Sequence, residues 1–218
     1  MTETIPALEV TVTATVTSFR DPMYAAVQKG LPCPPPATVG GMLAAAAGGW
    51  NHVPVTTRFA LSFTARAEGT DLETYHPADA LGRSTDPTPK DREFLYDTTL
   101  TVWLLDELDH WHASLRRPIW PLRLGRSQDL AAARPRRTSL TRGEGVQGHA
   151  VLPQTPQSRG TLLRLATATS LDRQHTRWDN YHYAPKGTAA PITDTLVTSD
   201  GQAVQLLPPV HPDTVKAR

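Results

Sequence analysis

The chain has 218 residues, a formal net charge of +1 and one cysteine. That length suffices for one substantial core, or for one domain with a small appendage, and no independent second enzyme domain is expected. The near-neutral balance argues against wholesale nonspecific binding to nucleic acid, and the lone Cys33 excludes an internal disulfide and a cysteine-built zinc site. No apolar run reaches membrane-spanning length and the N-terminus lacks the basic and apolar regions of a secretory signal, so cytoplasmic residence without membrane partners is expected.

Residues Leu8 to Val16 alternate, with Leu8, Val10, Val12, Ala14 and Val16 on one face and threonines with Glu9 on the other, which predicts a half-buried strand. A proline bridge follows at Pro32 and Pro34 to Pro36; its fixed dihedrals delay helix formation until Pro36 is passed. Thr38 is then the expected N-cap. Val39, Met42, Leu43 and Ala46 have the spacing of one buried helical face, and Gly48 with Gly49 supplies the stop. Gly40 and Gly41 fall in the first turn, where glycine weakens a helix unless another backbone, of protein or nucleic acid, comes close.

Val55 to Arg66 and Tyr96 to Leu104 alternate as second and third strands, and the polar stretch Glu68 to Asp91 between them is too long for an ordinary turn. It predicts a protruding β-hairpin with Gly82-Arg83-Ser84 near its tip. Asp106 to Arg117 predicts a second helix ended by Pro118, and a strand is expected at Ile119 to Leu124. Beyond Arg126 the expectations are a short helix at Asp129 to Ala133, strands around Leu140 and Val151, a stronger strand at Leu162 to Thr169, and a loop-rich tail.

Charge is segregated along this order. Eight arginines, Arg116, Arg117, Arg123, Arg126, Arg134, Arg136, Arg137 and Arg142, accompany the single acid Asp129 between Leu115 and Arg142, whereas Glu68 to Asp91 is mostly acidic. A localised cationic face suits a phosphate backbone.

Two blocks of sequence carry a family resemblance. Phe19-Arg20, a spacer, and Leu31-Pro32-Cys33-Pro34-Pro35-Pro36-Ala37-Thr38-Val39-Gly40-Gly41-Met42-Leu43 form the first; Pro121-Leu122-Arg123-Leu124-Gly125-Arg126-Ser127-Gln128-Asp129-Leu130 form the second. Together, in this order, they resemble CRISPR-associated protein family five, closest to its type I-B or I-A members. The resemblance implies an α+β fold: a modified RNA-recognition or ferredoxin-like (RAMP) domain over residues 1–130, with a hairpin thumb at about 67–92, and a small β-rich C-terminal region over 131–218 completing it. It implies a noncatalytic, cofactor-free subunit of a type I Cascade complex. Such a subunit grips the 5′ handle of the crRNA, caps the backbone filament, touches the backbone and large subunits, and meets target DNA only indirectly near its PAM-proximal end.

That task needs cationic groups for a bent phosphate track, glycines that let amides approach phosphates, and a wedge between bases. Arg20, Thr38, Gly40 and Gly41 are the candidates at the first block, Arg123, Gly125, Arg126, Ser127 and Gln128 at the second, and Arg83 at the hairpin tip. Each has a plainer role available. Thr38 and the glycines suit helix capping and close packing, and Arg126 suits an ion pair with Asp129 three residues on. Arg134, Arg136 and Arg137 read as a solvated loop without acidic neighbours, and Thr141 to Gly148 as a flexible glycine-rich loop. Asp109-His110-Trp111-His112 has the wrong helical spacing for a metal site. Arg177-Trp178-Asp179-Asn180-Tyr181-His182-Tyr183 mixes aromatic and basic residues as base-stacking surfaces do, but packing of the C-terminal region or docking of a neighbour fits better.

A catalytic alternative exists in the type I-C branch of the resembled family, which cuts repeat RNA without metal using tyrosine, lysine and histidine. Tyr24, Lys29 and His52 are the residues here that such chemistry would draw on. A plain protein-interaction module is the third alternative.

Overall fold

The computed structural model describes residues 3–24, 29–75 and 86–215. Nine strands, β1 (Thr4–Thr17), β2 (Ala60–Tyr75), β3 (Thr88–Leu104), β4 (Ala132–Val146), β5 (Ala150–Pro153), β6 (Thr161–Thr169), β7 (Thr176–Tyr183), β8 (Pro191–Val197) and β9 (Ala203–Val204), form one antiparallel sheet. Its order is β6-β7-β5-β2-β3-β1-β4-β8-β9, so the early strands β2, β3 and β1 form the centre and the later strands flank them on both sides. Two helices, α1 (Pro36–Ala47) and α2 (Leu108–Arg116), complete the fold.

The alternation of β1 explains why the helices lie on one side. Leu8, Val10 and Val12 are fully buried and share their rungs with Leu104, Val102 and Leu100 of β3; Leu61 and Phe63 of β2 continue the last two. This apolar face meets Val39, Met42, Leu43 and Ala46 of α1 and Trp111 and Leu115 of α2 in the main core. The opposite face carries a smaller cluster of Ala7, Ala60, Trp103, Leu140 and Val204. Beside it runs a hydroxyl-rich stretch in which Thr11 pairs with Thr101, and Thr101 with Ser62.

β2 and β3 remain paired from Ala60 opposite Trp103 to Tyr75 opposite Thr88, well past the core. Packing holds the long ribbon only at its base, and ion pairs line it outward: Arg66 with Asp97 at 3.6 Å and Arg92 with Glu73. Gly69 is needed there because a Cβ would lie 2.7 Å from Cζ of Phe94, which crosses the glycine from the facing strand. Arg83 lies outside the described residues.

Several local expectations are corrected. The second strand begins at Ala60 rather than Val55, since Val55 and Thr56 form a turn. Ile119 to Leu124 is not a strand: the amides of Ile119 and Trp120 donate to the carbonyls of Ala46 and Ala45, and so satisfy the open C-terminus of α1. No helix forms at Asp129 to Ala133, because β4 starts at Ala132 and pairs with Thr13 of β1. The tail is also more regular than it reads, supplying β7, β8 and β9. Arg134, Arg136 and Arg137 are strand residues, and two of them have acidic company, Arg136 bonding Glu9 at 2.7 Å and Arg137 bonding Asp109. Thr141 to Val146 likewise lies in β4, with a register shift between Gly143 and Gly145 against β8.

Candidate nucleic-acid interface

The proline bridge ends in Pro35 as N-cap and Pro36 at the first helical position. A proline there loses no hydrogen bond and presets the helical φ, so α1 starts earlier than the Thr38 cap would have it. Thr38 therefore occupies the third helical position, and its amide already donates to the Pro35 carbonyl at 2.9 Å. Gly48, at φ 91°, closes the helix in the left-handed conformation.

The two glycines of the first turns have different surroundings. A Cβ on Gly40 would come within 2.9 Å of Cγ2 of Val210 and 3.2 Å of the Trp50 ring, so this glycine admits the C-terminal segment against α1. Gly41 is exposed and a Cβ there would meet nothing within 4 Å. Gly40→Ala is accordingly expected to lower unfolding stability by about 1–3 kcal/mol through overpacking. Gly41→Ala is expected to raise it by about 0.5–1 kcal/mol as a helix-favouring change. Urea denaturation of the two variants reads both signs.

Phe19 to Asp21 pairs back on Lys29 to Leu31, with the amide of Leu31 donating to Phe19 and that of Asp21 to Lys29. This bridge, in which Arg20 stands opposite Gly30, brings Arg20 to the open end of α1. The result is a groove of about 950 Å³ lined by Arg20, Thr38, Gly41 and Trp50 on the side of α1, and by Arg173 and Trp178 from β6–β7. Its lining holds two arginines and no carboxylate. A second cavity of about 490 Å³, between Ser18 to Pro32 and the base of the β2–β3 ribbon, differs: Glu68 and Glu93 line it together with Lys29. Field sign alone makes the first groove the better host for a phosphate chain.

The second sequence block is placed elsewhere, directly behind Arg20. Asp129 is buried, and its carboxylate accepts the amides of Ser18 at 3.1 Å and Arg126 at 2.9 Å as well as the Arg126 guanidinium at 3.1 Å. Gly125, at φ 113°, is obligatory beside it, since a Cβ would lie 2.8 Å from the Ser18 carbonyl oxygen. The Gly125 to Asp129 turn is thus a node that fixes the end of β1 two residues before Arg20. Arg126 is largely enclosed and also faces Asp71 at 4.0 Å. Arg123, Ser127 and Gln128 are exposed, and none of Arg123 to Gln128 lines the groove.

Of the expected residues, then, Arg20, Thr38 and Gly41 come together, Gly40 packs inward, and Arg123, Gly125, Arg126, Ser127 and Gln128 form or flank the supporting node. Arg173 and Trp50 escaped sequence reading, while Trp178 belongs to the aromatic and basic segment noticed there. Its neighbour Arg177 faces inward, donating to the Pro209 carbonyl and to Thr214 Oγ1 at 3.2 Å, which pins the C-terminal segment. Among the described residues no group of three histidine, cysteine or carboxylate side chains is placed to hold a metal. No helix of the described residues is long and apolar enough to cross a membrane.

No curated protein matches the sequence. A solved chain titled as a CRISPR RNA-guided surveillance complex is similar over 95% of this chain and 96% of its own, with a TM-score of 0.54 at 15% identity. A CRISPR protein from Archaeoglobus fulgidus is similar over 94% and 99%, with a TM-score of 0.53 at 11% identity. A chain of the Type III-B Cmr-beta complex bound to cognate target RNA and AMPPnP is similar over 82% and 85%, with a TM-score of 0.53 at 8% identity. At such identities these likenesses speak for the fold. The family model described as CRISPR-associated protein (Cas_Cas5) matches residues 7–196, and the chain belongs to that CRISPR-associated family.

Proposed function

We propose that this chain is a noncatalytic subunit of a type I RNA-guided surveillance complex, holding the 5′ handle of the guide RNA in the groove between α1 and β6–β7. The observation that carries this reading is the composition of the groove: two guanidinium groups, a threonine at a helix start and indole rings, with no carboxylate in its lining. Guanidinium forks suit phosphates, and exposed indole faces suit unstacked bases. The element order β1-α1-β2-β3-α2-β4 with neighbours β2-β3-β1-β4 supports a ferredoxin-like, RNA-recognition core. In this reading the β2–β3 ribbon is the thumb, its acidic flanks kept off the phosphates, and Arg83, outside the described residues, is the expected wedge. In this reading the neighbours are the backbone and large subunits, and target DNA is met only near its PAM-proximal end; a chain titled as a CRISPR RNA-guided surveillance complex is among the similar structures.

Arg20→Ala, introduced into the assembled complex, is expected to weaken retention of the handle about tenfold. It should also flatten the logarithmic salt dependence by about 0.7. Unchanged retention and unchanged slope overturn the assignment of the groove.

The nuclease alternative draws on Tyr24, whose ring lies 5.5 Å from the Lys29 ammonium, and on His52, exposed on the 3-10 turn Trp50–His52 that follows α1. Cleavage requires a base, an acid and a cation converging on one phosphate. Incubated in EDTA with cognate repeat RNA, the protein is expected to leave it intact. Specific cutting that His52→Ala abolishes would establish the catalytic reading instead.

A further inference from the structure

The turn joining β6 to β7 is built in an unusual way for an exposed loop. Arg173 is at φ 60°, a left-handed conformation that a side chain with a Cβ rarely adopts. Such a conformation is strained and persists where its surroundings enforce it. Here they do. The Ser170 and Arg173 amides close the turn onto the carbonyls of His175 and Ser170, at 2.9 Å each. Ser170 Oγ accepts from the His175 amide at 3.0 Å and donates to Asp172, whose carboxylate also accepts the Gln174 amide at 3.0 Å. These bonds, from the Ser170 hydroxyl first and the Gln174 amide second, hold the Asp172 carboxyl below its usual range, so the lock is present at neutral pH and loosens only as pH falls into the acid range.

All of that network fastens a residue whose own guanidinium makes no hydrogen bond or ion pair among the described residues. Arg173 lines the groove, as do Ser170, Leu171 and Thr169 of the same hairpin, and half-buried Trp178 lines it from β7. A rigid turn aiming an uncompensated cation into a groove is preorganisation for an anion, because the ordering cost is met before the ligand arrives.

We propose that the β6–β7 turn is a preset second jaw of the groove, in which Arg173 takes a phosphate of a single-stranded RNA while Trp178 takes the face of one of its bases. The assignment rests on the RNA-binding reading of the groove and adds to it a wall from the C-terminal half of the chain. Arg173 and Trp178 are binding residues; Ser170 is a positioning residue acting through the turn.

The test uses the complex assembled with its guide and, as the direct probe, the 5′ portion of the cognate repeat RNA binding the full chain, with melting temperature recorded for every variant. Arg173→Ala is expected to weaken binding about tenfold. It should lower the salt slope by about 0.7, and Arg173→Lys should restore the slope while recovering only part of the affinity. Trp178→Ala is expected to weaken binding between about 5-fold and 150-fold without altering the slope, and Trp178→Phe to recover most of it. Ser170→Ala is expected to weaken binding about threefold with the salt slope kept, and Ser170→Thr to restore it; this pattern distinguishes aiming of Arg173 from a loss of fold. Arg20→Ala separates the two layers of inference. If it weakens binding while Arg173→Ala and Trp178→Ala do not, the second jaw is overturned and the RNA groove stands. If none of the three has an effect, both fall. If Arg173→Ala releases a protein subunit from the complex with RNA affinity unchanged, the turn is a protein contact and the proposal is overturned.

Discussion

Replacing Asp129 with alanine is expected to destabilise the protein by about 3–5 kcal/mol, the range for removing one member of a buried ion pair. The carboxylate is only 4% exposed and is the shared acceptor of two amides and the Arg126 guanidinium, so its loss strands three donors together in a space that water does not readily enter. The expected readout is a large fall in the urea midpoint at unchanged slope. The consequence reaches the groove, because the Ser18 amide is one of those donors and Arg20 leaves the chain two residues later. It follows that Arg126→Ala is a poor reporter of RNA contact: it breaks the same node, and weaker binding would then report a displaced Arg20. Arg123, exposed and outside the node, is the cleaner arginine to remove from this block.

Trp111→Ala is expected to cost about 3–5 kcal/mol, as for other fully buried large side chains. At 1% exposure Trp111 is among the largest enclosed side chains, fixing α2 to the core that it shares with Leu8 and Val10 of β1, with the His110 ring edge-on at 4.9 Å. His112, half-buried on the next position of the helix, is expected to tolerate alanine within about 0.5 kcal/mol. Thermal melts of both variants compare an anchoring role for the Asp109 to His112 segment with one centred on its imidazoles. A destabilisation by His112→Ala as large as that by Trp111→Ala would contradict the anchoring account.

The parts of the fold that were readable in the sequence are those whose cause is local. The alternation of β1, the i, i+3, i+4, i+7 stripe of α1 and its glycine stop each need only neighbours in the chain, and each is present where it reads. The failures share one physical origin. Ile119 and Trp120 look like strand residues but spend their amides on the carbonyls that α1 leaves open, which depends on how α1 and α2 meet. Arg134 to Arg137, broken by a proline, read as loop because the side chains that pair with Arg136 and Arg137, Glu9 and Asp109, come from other elements.

The candidate site divides in the same way. Arg20, Thr38 and Gly41 were legible because one contiguous motif carries them. Gly40 was legible as a place of close approach, but the occupant, Val210, comes from the far end of the chain. The pairing of Arg126 with Asp129 was available from their spacing, whereas the burial that turns it into a structural node was not, since it depends on Ser18. Arg173 had no signal at all: serine, leucine, aspartate and arginine in sequence say only that a turn is near. The left-handed backbone and the facing α1 appear only once β6 and β7 are paired beside the helix.

The most direct measurement is site-specific photocrosslinking in the assembled complex, with a photoreactive residue replacing exposed Gly41 at the groove and another replacing Thr193 of β8 as the remote comparison. Crosslinks from position 41 that map to nucleotides of the guide RNA's 5′ handle, with none from position 193, are the predicted result. Crosslinks from position 41 to protein subunits alone, or to no RNA, would contradict the account.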